Sequence, residues 1–106
     1  MAWIFLFLAG LFEIVWAVAM KASAGFSRLA PTLIMLVGMA ASFILLAKAL
    51  KDLPLGTAYT VWTGIGAVGT VVLGIWMYRE STDPLRLLFI TLIIAGIVGL
   101  KLTSPQ

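Results

Sequence analysis

Cysteine and histidine are both missing from this chain, and charged residues are scarce. The 106 residues include no cysteine and no histidine. The first absence excludes disulfide bonds and thiol chemistry, and the second removes the commonest metal ligand and the usual proton shuttle. Only 10% of the residues are charged, compared with about 25% in an average soluble domain. We therefore expect no metal, no cofactor and no enzymatic activity.

Apolar residues make up 63% of the sequence, compared with about 45–50% in soluble domains. This excess predicts an all-α integral membrane protein, because the spans of a β-barrel would be alternating segments of about ten residues, and none is found. The net charge of +3 is best explained by loops that lie beside lipid headgroups. We expect the bilayer to be a partner and nucleic acid not to be one.

Four apolar segments predict one four-helix transmembrane domain over residues 1–106. Each is close to the roughly 20 residues that cross a bilayer, and they cover about residues 2–20, 31–49, 55–78 and 85–102. Proline is tolerated in the first turn of a helix, where its missing N–H has no partner anyway, and the last three segments begin beside Pro31, Pro54 and Pro84. The first segment lacks a preceding basic region, so we expect a retained span and not a cleaved signal peptide.

Glu13 is the only ionisable side chain within the first apolar segment. A carboxylate near the bilayer midplane costs about 2.5 kcal/mol or more, and it usually faces a wet or protein-lined cavity where it has a function. The alternative is a permanently protonated carboxyl group that is simply packed. Neighbours three and four residues away share its helix face, and they are small or aromatic: Ala9, Gly10, Trp16 and Ala17. This pattern favours a binding role for Glu13.

Two further pairs of residues have helical spacing. Gly38 and Ser42 are four apart, which indicates either close helix packing or a hydroxyl that bonds Glu13 or a substrate. Tyr59 and Trp62 are three apart and share a face. They could be interfacial anchors, but their distance from the start of the third segment favours the lining of a cavity.

Three glycines in the third segment match the G-x-G-x-x-G pattern: Gly64, Gly66 and Gly69. A dinucleotide-binding motif of this kind follows a strand and opens a helix, so its position inside an apolar span argues against that function. Glycines also make a helix easier to bend. We predict that the third span bends at these residues as part of a two-state gate.

The fourth segment contains small residues at the spacing of a helix–helix contact. They are Ala95, Gly96 and Gly99. From Ala95 to Leu100 the segment has no polar side chain, and we expect Lys101, which follows, to reach the headgroups. We predict that the fourth span forms a dimer contact.

Basic residues are almost evenly divided between the two sides of the membrane. The side with both termini has Lys48, Lys51 and Lys101, and the other side has Lys21, Arg28, Arg79 and Arg86. Orientation is set by an imbalance of such charges, so this chain is expected to insert both ways. Because alternating access commonly uses inverted repeats, we predict an antiparallel homodimer with two Glu13 side chains near each other. A cation and protons would then compete for this pair, as in an antiporter.

The sequence resembles the small multidrug resistance family along its whole length. The matching stretches are GLFE at 10–13, GFSRL at 25–29 and PLGTAYTVWTG at 54–64. Within that family it is most similar to the guanidinium exporter subtype, through Glu13-x-x-Trp16, Gly38-x-x-x-Ser42 and Gly99-Leu100-Lys101.

The resemblance implies an antiparallel homodimer in the bacterial inner membrane that exchanges guanidinium ion for protons. Glu13 of both subunits would bind substrate and proton, and Gly10 would provide space. The site would be lined by Trp16, Ser42, Tyr59 and Trp62.

Selectivity and assembly leave alternatives open. The family usually has alanine where this chain has Thr60, and we expect Gly38, Met39 and Thr60 to affect selectivity. Substituted guanidinium ions or hydrophobic quaternary ammonium ions are alternative substrates. Two other hypotheses are a non-transporting membrane subunit and one half of an obligate heterodimer, and the midplane Glu13 and the balanced charges argue against them.

Overall fold

A computed structural model describes residues 1–103, which form four α-helices. They are α1 (Ala2–Ala22), α2 (Leu29–Leu50), α3 (Leu55–Tyr78) and α4 (Pro84–Thr103). Each is long and apolar enough to cross a membrane. The prediction of an all-α protein with four candidate spans is therefore confirmed. The single domain predicted over residues 1–106 includes residues 104–106, which lie outside the described part.

The helix boundaries follow the prolines closely. Pro54 is the N-cap of α3 and Pro84 is the first residue of α4. The second helix begins at Leu29, two residues before Pro31, which therefore lies in the first turn. The first N–H groups of a helix have no partner within it, so proline costs no hydrogen bond at any of these positions.

A tight loop joins α1 to α2. Ser23 is fully buried there; its hydroxyl donates to the Met20 carbonyl at 2.6 Å and accepts the Phe26 N–H at 3.1 Å. Gly25 has a φ of +73°, which glycine adopts at little cost. The loop is short, so α1 and α2 pack as antiparallel neighbours.

Small residues allow α1 to pack closely against both α2 and α3. The core is formed by residues that are mostly small or aliphatic, with one tryptophan: Ala2, Leu6, Ala9, Ala49, Leu53, Ala58, Val61 and Trp62. Along residues 1–103, α4 packs mainly against α3 and has no buried residue. A Cβ on Gly96 or Gly99 would have open space around it. The small-residue face of α4 is therefore uncovered in a single protomer.

Candidate functional site

Glu13 is half-buried on α1, with its carboxyl group against α3. A Cβ placed on Gly66 would overlap the Glu13 Oε1 and Cδ atoms and would lie 2.9 Å from Cγ. The Oε1 atom is buried, and within residues 1–103 it has no hydrogen-bond partner. A buried acceptor left unpaired costs about 1–3 kcal/mol. A proton or a cationic N–H donor would satisfy this oxygen.

One hydroxyl connects three helices close to Glu13. Ser42 on α2 donates to the Ala9 carbonyl on α1 at 2.7 Å and accepts the Trp62 Nε1–H from α3 at 2.9 Å. Ser42 and Trp62 are both buried. Because a hydroxyl has one proton to donate, Ser42 bonds Ala9 here and not Glu13, the partner that we considered from the sequence. Its role in this protomer is to fix the indole of Trp62.

Four aromatic rings form a chain of contacts across α1, α2 and α3. Ring centroids are 6.4 Å apart for Trp16 and Phe43, 5.9 Å for Phe43 and Trp62, and 5.5 Å for Trp62 and Tyr59. The Trp16 Nε1 atom is buried and has no partner among the described residues. The ring faces can attract a cation. The structure thus brings Trp16, Tyr59 and Trp62 together.

Phe43 was missed by the sequence analysis. It is one of six phenylalanines, and nothing in its spacing separates it from a lipid-facing residue. Its position immediately after Ser42 is the only signal that would have suggested a place in the site.

Gly10 and Gly38 both lie at close helix contacts. A Cβ on Gly10 would be 2.6 Å from Ile65 Cγ2 on α3, and one on Gly38 would be 3.3 Å from the Cβ of Trp16. Gly10 therefore allows α1 and α3 to approach, and Gly38 allows α2 to pack under Trp16. The neighbouring Met39 is half-buried on α2.

Thr60 lies in a groove between α3 and α4. The groove has a volume of about 810 Å³ and is mostly apolar. Tyr59, which is 55% exposed, borders the same groove and also contacts Trp62. Thr60 is thus placed beside the aromatic chain on its α4 side.

The three glycines of the third span contact different neighbours. Gly64 faces Ile97 of α4, with 2.7 Å from an added Cβ to Cδ1, and Gly69 faces Ile14 of α1. Only Gly66 of these three faces the Glu13 carboxyl group. All three lie within α3, which is an uninterrupted helix from Leu55 to Tyr78.

Charged side chains other than Glu13 lie near the helix ends. The one ion pair within residues 1–103 joins Arg86 and Glu80 at 3.0 Å. Lys101 lies over the Trp3 ring, 4.7 Å from its centroid, so it packs on an aromatic residue. Within the same residues, no cluster of carboxylates suited to a metal ion is found. Among the described residues, Glu13 therefore has no cationic partner.

Four apolar helices around a buried carboxyl group and a chain of aromatic rings define a small polytopic membrane protein with a polar site between its helices. The chain belongs to the Small Multidrug Resistance protein family, whose model matches residues 1–93. This confirms the resemblance seen in the sequence.

Similar proteins in bacteria carry the name guanidinium exporter. The one from Yersinia pseudotuberculosis is 62% identical over 104 residues, covering 98% of this chain and all of the relative. Those from Salmonella typhimurium and Escherichia coli K12 are each 55% identical over 104 residues, covering 98% of this chain and 99% of each relative. The family and the four spans identify a multi-pass protein of the bacterial inner membrane.

Proposed function

We propose that this protein is a proton-coupled antiporter that exports guanidinium ion. The observation that carries the proposal is the buried Oε1 of Glu13, which has no hydrogen-bond partner in residues 1–103. The names of the relatives support guanidinium as the substrate, since they align over 98% of this chain.

The chemistry of guanidinium suits the groups around Glu13. The ion is planar, and its forked N–H donors match the two oxygens of a carboxylate. Its flat face can stack on an aromatic ring. Trp62 offers such a ring, and Ser42 holds it in one orientation.

Competition between the cation and protons would provide the coupling. A protonated Glu13 has no charge with which to hold a cation, and a cation bound to the carboxylate excludes the proton. If the site opens to one side of the membrane at a time, proton entry on one side releases the cation there. Paired Glu13 side chains in a dimer favour two protons for each guanidinium.

An antiparallel homodimer would place the two carboxyl groups in one site. The balanced basic residues support insertion in both orientations. The uncovered face of α4, with Ala95, Gly96 and Gly99, supports a contact with the second copy. Gly64, Gly66 and Gly69 all lie in α3, where Gly66 faces Glu13 and Gly64 faces α4. We propose that α3 bends at these glycines when the site changes from one side of the membrane to the other.

A second candidate function is export of substituted guanidinium or hydrophobic quaternary ammonium ions. The groove beside Thr60 supports it, since its largely apolar lining suits alkyl substituents. Quaternary ammonium ions lack N–H donors and depend on aromatic faces and general electrostatics. Gly38 packs against Trp16 and Met39 is its half-buried neighbour on α2, and we propose that a change of size at either position would alter which substituents fit.

Currents from proteoliposomes on a solid support test both functions. We expect guanidinium pulses to give currents that depend on the proton gradient, and tetraethylammonium pulses to give smaller ones. Equal or larger tetraethylammonium currents would favour the second function. If no organic cation moves under any gradient, the transport proposal is rejected.

A further inference from the structure

The Glu13 carboxyl group lies against bare backbone on α3. Gly66 is buried, and an added Cβ would overlap Oε1 and Cδ of Glu13. Among the ten glycines, one other faces a carboxyl group: an added Cβ on Gly74 would be 2.5 Å from Oε1 of the exposed Glu80. Gly66 therefore differs from Gly74 in facing a carboxyl group whose oxygen is buried.

The distance between α1 and α3 is already fixed along this contact. Gly10 on α1 receives the side chain of Ile65, and Gly69 on α3 receives the side chain of Ile14. Because apolar side chains fill the contact in this way, separating the helices in this conformation would leave voids between them. A methyl group at position 66 would therefore have to displace the carboxyl group of Glu13.

We propose that Gly66 is a positioning residue that sets where the Glu13 carboxyl group lies. This inference rests on the proposed function for its effect on guanidinium, but its geometric part does not. The absence of a side chain at residue 66 lets the carboxyl group lie between α1 and α3, beside a residue one helical turn along α3 from Trp62. In enzymes, misplacing a group by about 1 Å can lower the reaction rate about a hundredfold. We expect binding to be sensitive to position in the same way, so Gly66 would control affinity without contacting the cation.

The geometric part can be tested without transport. Gly66→Ala is compared in three backgrounds: the wild type, Glu13→Gln, which keeps the length of the side chain, and Glu13→Ala, which removes it. Alanine is the better helix former, so any loss comes from the clash. We expect Gly66→Ala to lower the thermal midpoint or the folded yield in the wild type and in Glu13→Gln. We expect no such decrease in Glu13→Ala.

Gly74→Ala is the matched control for this series. It adds the same methyl group to the same helix, also beside a carboxyl group, but Glu80 is exposed and only its surface ion pair with Arg86 holds it there. We expect a smaller loss of stability from this change than from Gly66→Ala, because an exposed ion pair contributes little. An equal loss from Gly66→Ala in all three backgrounds would overturn the proposal, because the clash would then not involve Glu13.

The functional part is tested by guanidinium affinity across pH. We expect Gly66→Ala to weaken the apparent affinity by about tenfold or more and to alter proton competition, while Gly74→Ala stays close to wild type. Glu13→Asp withdraws the carboxyl group by one methylene, so Gly66→Ala should cost less in that background. If Gly66→Ala lowers guanidinium affinity by the same factor in the wild type and in Glu13→Asp, the positioning role is overturned. If the wild type does not respond to guanidinium, the proposed function fails, and the stability series still decides the placement.

Discussion

Trp62 and Ser42 are joined by a buried hydrogen bond, in which the indole N–H on α3 donates to the hydroxyl on α2 at 2.9 Å. The same hydroxyl donates to the Ala9 carbonyl on α1 at 2.7 Å. Ser42 thus satisfies a donor and an acceptor from two other helices. Both Ser42 and Trp62 are buried, so no solvent replaces either bond.

Ser42→Ala is expected to destabilise the protein and to loosen Trp62. The change leaves the Trp62 N–H without its acceptor, which costs about 1–3 kcal/mol for a buried group. Thermal unfolding in detergent measures the loss, and guanidinium affinity reports the loosened ring. Thr91→Val is the control, because the Thr91 hydroxyl is exposed and bonds only Leu87 of its own helix. Fully additive effects of Ser42→Ala and Trp62→Phe would show that the two residues are not coupled.

Glu13→Gln is expected to abolish coupled transport and to leave the fold intact. The amide keeps the size of the side chain but can neither lose a proton nor carry a negative charge. Proton-driven guanidinium flux should fall to the background of empty liposomes. In the wild type, apparent guanidinium affinity should rise with pH, because fewer protons occupy the carboxyl group, and this dependence should vanish in the variant.

Glu80→Gln provides the control for the loss of a carboxylate. Glu80 pairs with Arg86 near the exposed start of α4, away from the aromatic rings. We expect coupled flux to persist in that variant. Coupled uptake that survives in Glu13→Gln would reject Glu13 as the shared site for proton and cation.

Helix number and position followed from the sequence because bilayer thickness and proline chemistry leave few choices. Pro31, Pro54 and Pro84 all lie in or next to a first turn, as their spacing predicted. The contact between Tyr59 and Trp62 also followed from a spacing of three residues, since both belong to one helix.

Contacts between helices were harder to predict, because they depend on how each helix is rotated against its neighbour. Nothing in the order of residues indicates that Ser42 would bond the Ala9 carbonyl, since every backbone carbonyl looks alike in a sequence. The glycine pattern likewise suggested bending and gave no sign that Gly66 faces Glu13. That contact depends on the approach of α1 and α3, which Gly10 and Gly69 permit.

Trp16→Gly is expected to relax selectivity toward bulkier cations. The ring of Trp16 contacts Phe43 at one end of the aromatic chain, so removing it enlarges the site. The ratio of tetraethylammonium to guanidinium current should rise. Trp76→Gly is the control, because Trp76 is 76% exposed and lies near the end of α3. An unchanged substrate ranking in Trp16→Gly would mean that Trp16 only packs against α2.

Thr60→Ala is expected to shift the range of substrates toward alkyl-substituted ions. Thr60 borders the groove between α3 and α4 beside Tyr59, and the change removes a hydroxyl group from its mostly apolar lining. Because the groove becomes larger and more apolar, we expect stronger transport of alkyl-substituted guanidinium ions and unchanged transport of guanidinium itself. Thr91→Val again serves as the control, since it removes a hydroxyl outside this groove. An equal change in the transport of guanidinium and of the substituted ions would contradict a role in selectivity.

Gly96→Leu is expected to weaken the dimer by filling the small-residue face of α4. An added Cβ at this position meets nothing within 4 Å in the single protomer, and the position borders the open groove between α3 and α4, so we expect the fold to tolerate the change. Small residues at a helix contact let two backbones approach, and a leucine there holds them apart. Cross-linking in membranes and light scattering in detergent measure the dimer fraction. Gly56→Leu is the control, because it adds the same bulk at another open position, at the start of α3. A dimer fraction that falls in Gly56→Leu but not in Gly96→Leu would move the interface away from α4.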